Sequence, residues 1–128
     1  MYLLVRPYNT AKLRSKKTHN VYVVELDRTV WTKDWKFRAA NPQYMGVLEC
    51  LYVGMTAHHP KVRFQKHLTG ARSKKGHKIS SYYVERFGKM LRPSLYADYN
   101  PVTRKEAIQL EKELSNELKA KGYAVWWN

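Results

Sequence analysis

Val47-Leu-Glu-Cys-Leu-Tyr-Val53, closed by Gly54, is the stretch of this chain whose reading decides the fold. β-Branched, aromatic and other apolar residues follow one another for too short a distance to make a helix, and a glycine ends the run, which predicts a strand. Upstream, Val21-Tyr-Val-Val-Glu-Leu26 repeats the pattern after the turn-forming His19-Asn20 and predicts a second strand. Between them, residues 27–46 carry Trp31, Trp35, Phe37 and Pro42 without a clear period, and read as an insertion or long irregular connection at about 28–47. Downstream, Pro60 opens a helix that Gly70 closes. A shorter helix spans about Ser80 to Phe87 before Gly88, and Leu91 to Tyr99 reads as a Pro-interrupted third strand at a sheet edge. Thr103-Arg-Lys-Glu106 is a capping box that starts the longest helix, which runs to Lys121 before Gly122. The expected fold class is α+β, with a small antiparallel sheet of about three strands flanked by helices. Residues 1–19 stand outside it as a basic arm or an extra strand.

The 128 residues are enough for one domain. A hydrophobic fraction of 44% supports a packed core, and no run of about 18 apolar residues is present, so a membrane span or secreted precursor is not expected. The single Cys50 excludes a disulfide framework and fits a reducing, cytoplasmic setting. The 24 Lys and Arg against 10 Asp and Glu give a net charge of +14, and the excess is clustered. Residues 55–94 hold Lys61, Arg63, Lys66, Arg72, Lys74, Lys75, Lys78, Arg86, Lys89 and Arg92 against Glu85 alone, with Phe64, Tyr82, Tyr83 and Phe87 among them. Solubility requires no such clustering, whereas a phosphate-backbone partner does.

Two helices carry side chains that a merely structural role leaves open. At 100° per residue, Ala107, Leu110, Leu114 and Leu118 form the core-facing stripe of the last helix, and Glu111 projects beside it. An unpaired carboxylate there is costly. It is either a rim residue whose head reaches water or a cation, or a functional group. On the helix opened by Pro60, Arg63 and His67 are four residues apart and share a face. Arginine forks onto phosphate oxygens and histidine titrates near neutrality, although two basic residues on a basic helix need no site. His58, His59, His67 and His77 lack the spacing of a zinc site.

Taken in order, Asn20-Val-Tyr22, Tyr52-Val-Gly54-Met-Thr56, Arg63-Phe-Gln-Lys-His67 and Ala107-Ile-Gln-Leu-Glu111 resemble the motifs of the GIY-YIG nuclease superfamily. Asn20-Val21 stands where that family has Gly-Ile, and the spacer from Tyr22 to Tyr52 is longer than usual. The resemblance covers residues 20–128. It implies a small sheet flanked by helices that cuts nucleic-acid phosphodiesters with a divalent metal, Mg²⁺ or Mn²⁺. It further implies that Glu111 is the sole metal ligand, that Arg63 holds the scissile phosphate, and that Tyr22 acts as or assists the general base. Tyr52 and His67 would orient water or Tyr22, and Asn128 is the one candidate for an asparagine that often follows the last helix. Gly54, Thr56, Lys66, Arg72, Lys74, Lys75 and Lys78 are expected against the substrate.

Phosphodiester hydrolysis needs charge stabilisation at the phosphoryl oxygens, an activated water and help for the leaving oxygen, which this inventory covers. Mg²⁺ takes few carboxylates and keeps its waters, so one glutamate suffices once substrate phosphate is bound. The expectation is therefore a metal-dependent endonuclease acting on DNA. A non-catalytic nucleic-acid-binding module of the same fold stands as the alternative. A structural or ribonucleoprotein-associated protein using Trp31, Trp35, Trp126 and Trp127 as interface groups is a third reading, and a homodimer is compatible with all of them.

Overall fold

The sequence folds, in a computed structural model that describes residues 16–70 and 81–127, around two strands that run side by side through the core. β1 (Asn20–Leu26) and β2 (Cys50–Thr56) pair antiparallel along their full length, with Tyr22 opposite Gly54, Val24 opposite Tyr52 and Leu26 opposite Cys50. Helices and loops cover both faces of the pair, so nearly every residue of both strands is buried. That double burial is why their sequences read as continuous apolar runs rather than as alternation.

Two further strands flank this pair. β3 (Gly88–Leu91) lies antiparallel to β1, and β4 (Ala124–Trp127) lies parallel to β2, giving the order β3-β1-β2-β4. The sheet is therefore four-stranded and mixed, which corrects the expectation of about three antiparallel strands. β4 is only four residues long and starts two residues after Gly122, which has φ 110°, so it offers no period to recognise. Its parallel direction comes from the long helix before it, which returns the chain along the sheet. β3 also begins earlier than Leu91. Residues Pro93–Leu95 and Ala97–Tyr99 form 3₁₀ turns instead of an extended edge. Pro93 has no N–H to give a strand partner and suits the first position of such a turn.

The segment read as irregular holds two short helices, α1 (Thr29–Lys33) and α2 (Trp35–Ala39). Asp34 caps α2 by accepting the Phe37 N–H at 2.9 Å, and Val30 and Phe37 are fully buried. α3 (Pro60–Leu68) starts with proline in its first turn and is followed by Gly70 at φ 65°. α4 (Tyr82–Phe87) leads directly into β3. α5 (Arg104–Ala120) begins at the expected capping box, where Thr103 Oγ1 accepts the Glu106 N–H at 3.1 Å and Glu106 Oε1 accepts the Thr103 N–H at 2.9 Å. It packs against β4, β2 and β1. Of residues 1–19, expected as a basic arm or an extra strand, 1–15 lie outside the described residues, and His19 forms an isolated antiparallel bridge with Val102.

Side-chain amides finish the sheet where strands stop. Asn100 accepts the Val21 N–H at 2.8 Å and donates to the Val21 carbonyl at 2.7 Å. Asn41, fully buried, accepts the Val125 N–H at 2.7 Å and donates to the Val125 carbonyl at 3.1 Å and the Phe37 carbonyl at 2.9 Å. Each amide presents one donor and one acceptor as a strand residue would, so Val21, in the part of β1 that β3 does not reach, and Val125, on the outer edge of β4, are satisfied without another strand.

Candidate active site

Tyr22 and Tyr52 stand on the same face of the β1–β2 pair because a residue and the diagonal neighbour of its partner share a face in an antiparallel register. Their ring centroids are 6.2 Å apart. Gly54 lies directly under the Tyr22 phenol: a Cβ at that position would stand 2.5 Å from the Tyr22 hydroxyl and 2.9 Å from Tyr52 Cε2. The glycine is thus a steric requirement of the tyrosine pair rather than a simple strand end.

α3 brings His67 onto this face with 0% exposure. Its Nε2 is 2.7 Å from the Tyr22 hydroxyl, and the Ser81 backbone N–H donates to its Nδ1 at 2.7 Å. Burial, with the charge of Arg63 beside it, depresses the imidazole to about 4, so the ring is neutral near pH 7. With Nδ1 accepting from a backbone amide, the single ring proton sits on Nε2 and is donated to the Tyr22 oxygen. Arg63, one helical turn before His67, also hydrogen-bonds that oxygen. Tyr22 in turn hydrogen-bonds Tyr52, which the Ser81 side chain holds as well. With two donors already aimed at its oxygen, the Tyr22 proton is directed to Tyr52. Burial nevertheless raises both phenols above their ordinary value of 10.0, the charge of Tyr52 adding to the rise at Tyr22 and Arg63 opposing it. Tyr22 is therefore a protonated phenol held by two groups that favour its anion.

Glu111 is 7% exposed on the buried face of α5, together with Ala107, Leu114, Ser115 and Leu118. Desolvation alone raises its carboxyl from 4.5 to about 7, and its charge acts on Tyr52. Among the described residues no hydrogen bond or ion pair holds that carboxylate; Ser115 donates to the Glu111 carbonyl instead, at 2.7 Å. No group of three or more His, Cys, Asp and Glu converges among the described residues.

Comparison with protein-family models, curated proteins and solved structures finds no match to this chain. The arrangement is therefore read from its own chemistry. Tyr22, Tyr52, Gly54, Arg63, His67 and Glu111, which the sequence placed on four separate elements, come together. Thr56 is buried, and its hydroxyl accepts the His58 N–H at 3.0 Å, holding the turn into α3. Lys66 lies half-buried on α3. Arg72, Lys74, Lys75, Lys78 and Asn128 lie outside the described residues. Ser81 was not foreseen: it fixes the His67 tautomer through its backbone and Tyr52 through its side chain, and a lone serine before a short helix carries no sequence signal for either.

Proposed function

We propose that this chain is a metal-dependent endonuclease of the GIY-YIG type that hydrolyses nucleic-acid phosphodiesters, with DNA as its substrate. The observation that carries the reading is the pairing of a buried carboxylate at Glu111, without a partner among the described residues, with a Tyr22 phenol hydrogen-bonded by Arg63 and by the His67 Nε2–H. A purely structural core has no use for that combination, since it leaves one group paying for its burial.

The residues fit a single divalent ion. Glu111 carries one carboxylate and no competing cation among the described residues, and Mg²⁺ completes its shell with water and substrate phosphate. Such an ion, when bound, supplies positive charge at the phosphoryl and leaving oxygens. Arg63, half-buried on α3 and hydrogen-bonded to Tyr22, is the guanidinium that would hold the scissile phosphate. To take the proton of the attacking water, Tyr22 would first have to release its own proton along its contact with Tyr52, and the two donors that hold it as a phenol, Arg63 and the His67 Nε2–H, would stabilise the anion so formed. His67 acts as a donor throughout rather than as a base, because its depressed pKa and its Nδ1 partner leave it no free lone pair. Gly54 keeps the space in which Tyr22 sits.

The test incubates purified protein with supercoiled plasmid and with branched or flapped DNA, with Mg²⁺, with Mn²⁺ and with chelator, beside Glu111→Ala. Metal-dependent cutting that the variant lacks is expected. Salt-dependent binding with no cutting of any substrate refutes the nuclease and leaves the binding module.

A further inference from the structure

The rim of this site has a feature that hydrolysis does not use. Ser81 is fastened at two points, to His67 Nδ1 at 2.7 Å through its backbone and to Tyr52 through its side chain. The next residue, Tyr82, is therefore held at a fixed place beside the site, yet its ring is 49% exposed. That ring and the Tyr83 ring stand nearly perpendicular, at a centroid distance of 5.2 Å, and the Arg86 guanidinium lies over the Tyr82 ring, 5.5 Å from its centroid. An apolar ring that the core does not bury, backed by a cation, is the arrangement on which nucleobases stack.

Arg86 also lines a polar cleft of about 310 Å³ between α1 and the α4–β3 junction, together with Lys33, Lys89, Asp27 and Thr29. Three cations face a single carboxylate there. Asp27 is already engaged by the Thr29 N–H at 2.9 Å and the Thr29 hydroxyl at 2.8 Å, and among the described residues Lys89 makes only a long pair with Glu25 at 3.7 Å. The cleft therefore attracts anions. From Tyr82 to Phe87 α4 advances roughly 8 Å at 1.5 Å per residue, a little over one nucleotide of an extended strand.

Resting on the nuclease reading, we propose that the substrate is an unpaired strand: the nucleotide next to the scissile phosphate stacks on Tyr82, and the phosphates beyond it lie in the cleft of Lys33, Arg86 and Lys89. A base stacked within a duplex offers no free face to an aromatic ring, so this surface discriminates by strand state and not by sequence. Tyr82 is thus a specificity-determining residue outside the reacting groups.

Binding tests this separately from cutting. Fluorescence anisotropy with a labelled mixed-sequence DNA of about 20 nucleotides, single-stranded and as duplex, is measured in chelator so that no hydrolysis intervenes. The wild type should bind the single strand about tenfold more tightly than the duplex, and Tyr82→Ala should weaken single-strand binding about tenfold while leaving duplex binding unchanged. Tyr82→Trp should restore it. Arg86→Gln should weaken single-strand binding and flatten its dependence on salt between about 50 and 200 mM. Equal affinity for the two forms, or a Tyr82→Ala that binds single strands as the wild type does, overturns the proposal whether or not the protein cuts. A protein that shows these preferences and never cuts refutes the nuclease alone.

Discussion

Replacing Glu111 by glutamine tests the central claim about the site without any substrate. Burial raises this carboxyl from 4.5 to about 7 in the folded chain, whereas the unfolded chain ionises at the ordinary value. Between those two pH values the unfolded state loses its proton first. Folding stability contributed by Glu111 is thus fully present below about 4.5 and falls as pH rises to about 7. At about 1.4 kcal/mol per pH unit, the loss reaches about 3 kcal/mol. Glu111→Gln keeps the shape and removes the charge. Urea unfolding of both proteins in chelator from pH 4 to 8 should show the variant gaining on the wild type across that window, up to about 3 kcal/mol. Wild type and variant with parallel pH profiles would refute the buried, unpartnered carboxylate.

Gly54→Ala places a methyl 2.5 Å from the Tyr22 hydroxyl, so cleavage should fall by two orders of magnitude or more while stability drops by about 1–3 kcal/mol, measured by nicking rate and urea unfolding. His67, lowered from 6.5 to about 4, should show nitrogen chemical shifts of the Nε2-protonated neutral ring at pH 7 and should not titrate until well below 6; a ring half-protonated near 6.5 would refute the burial. Its folded-state pKa also means that stability is lost as pH falls from 6.5 toward 4, by about 3 kcal/mol, and His67→Gln should remove that slope. Arg63→Ala should abolish cleavage with the fold retained by circular dichroism, and a variant that cuts at the wild-type rate would sink its role at the phosphate.

The parts of this molecule legible in the sequence are those in which a local pattern is also the structural cause. Thr103 and Glu106 cap α5 with the two bonds that their spacing implies, and the burial of Glu111 follows from the angular position of that residue on the helix. β1 and β2 are recognisable because both of their faces are covered. β4 escapes because four residues after a glycine carry no period, and because its parallel pairing is decided by where α5 delivers the chain. The meeting of Tyr22 with His67 spans 45 positions, and only the ordered motifs pointed to it. Ser81 could not be foreseen at all, since one of its two contributions is a backbone N–H that any residue would carry.

The segment between β1 and β2 shows how far a composition-based reading can mislead about role. Its scattered aromatic residues and the lack of a clear period made it read as an insertion or a long irregular connection. Yet Val30 and Phe37 are fully buried, Asn41 carries the outer edge of β4, and the Asp34 carboxylate accepts the Tyr83 hydroxyl at 3.1 Å. Asp34 thereby braces the helix on which Tyr82 and Arg86 are mounted. Only Trp35, 65% exposed, faces solvent as a large apolar side chain within α1 and α2. Deleting residues 28–47 would take Val30 and Phe37 out of the core, uncover the Tyr83 ring that Phe37 packs against and leave the Val125 backbone without its partner, so a shortened chain should fail to fold rather than lose specificity. Whatever selects the substrate must then be sought on surfaces that the core does not need, and α4, fixed to the site at one end and opening onto the cationic cleft at the other, is such a surface.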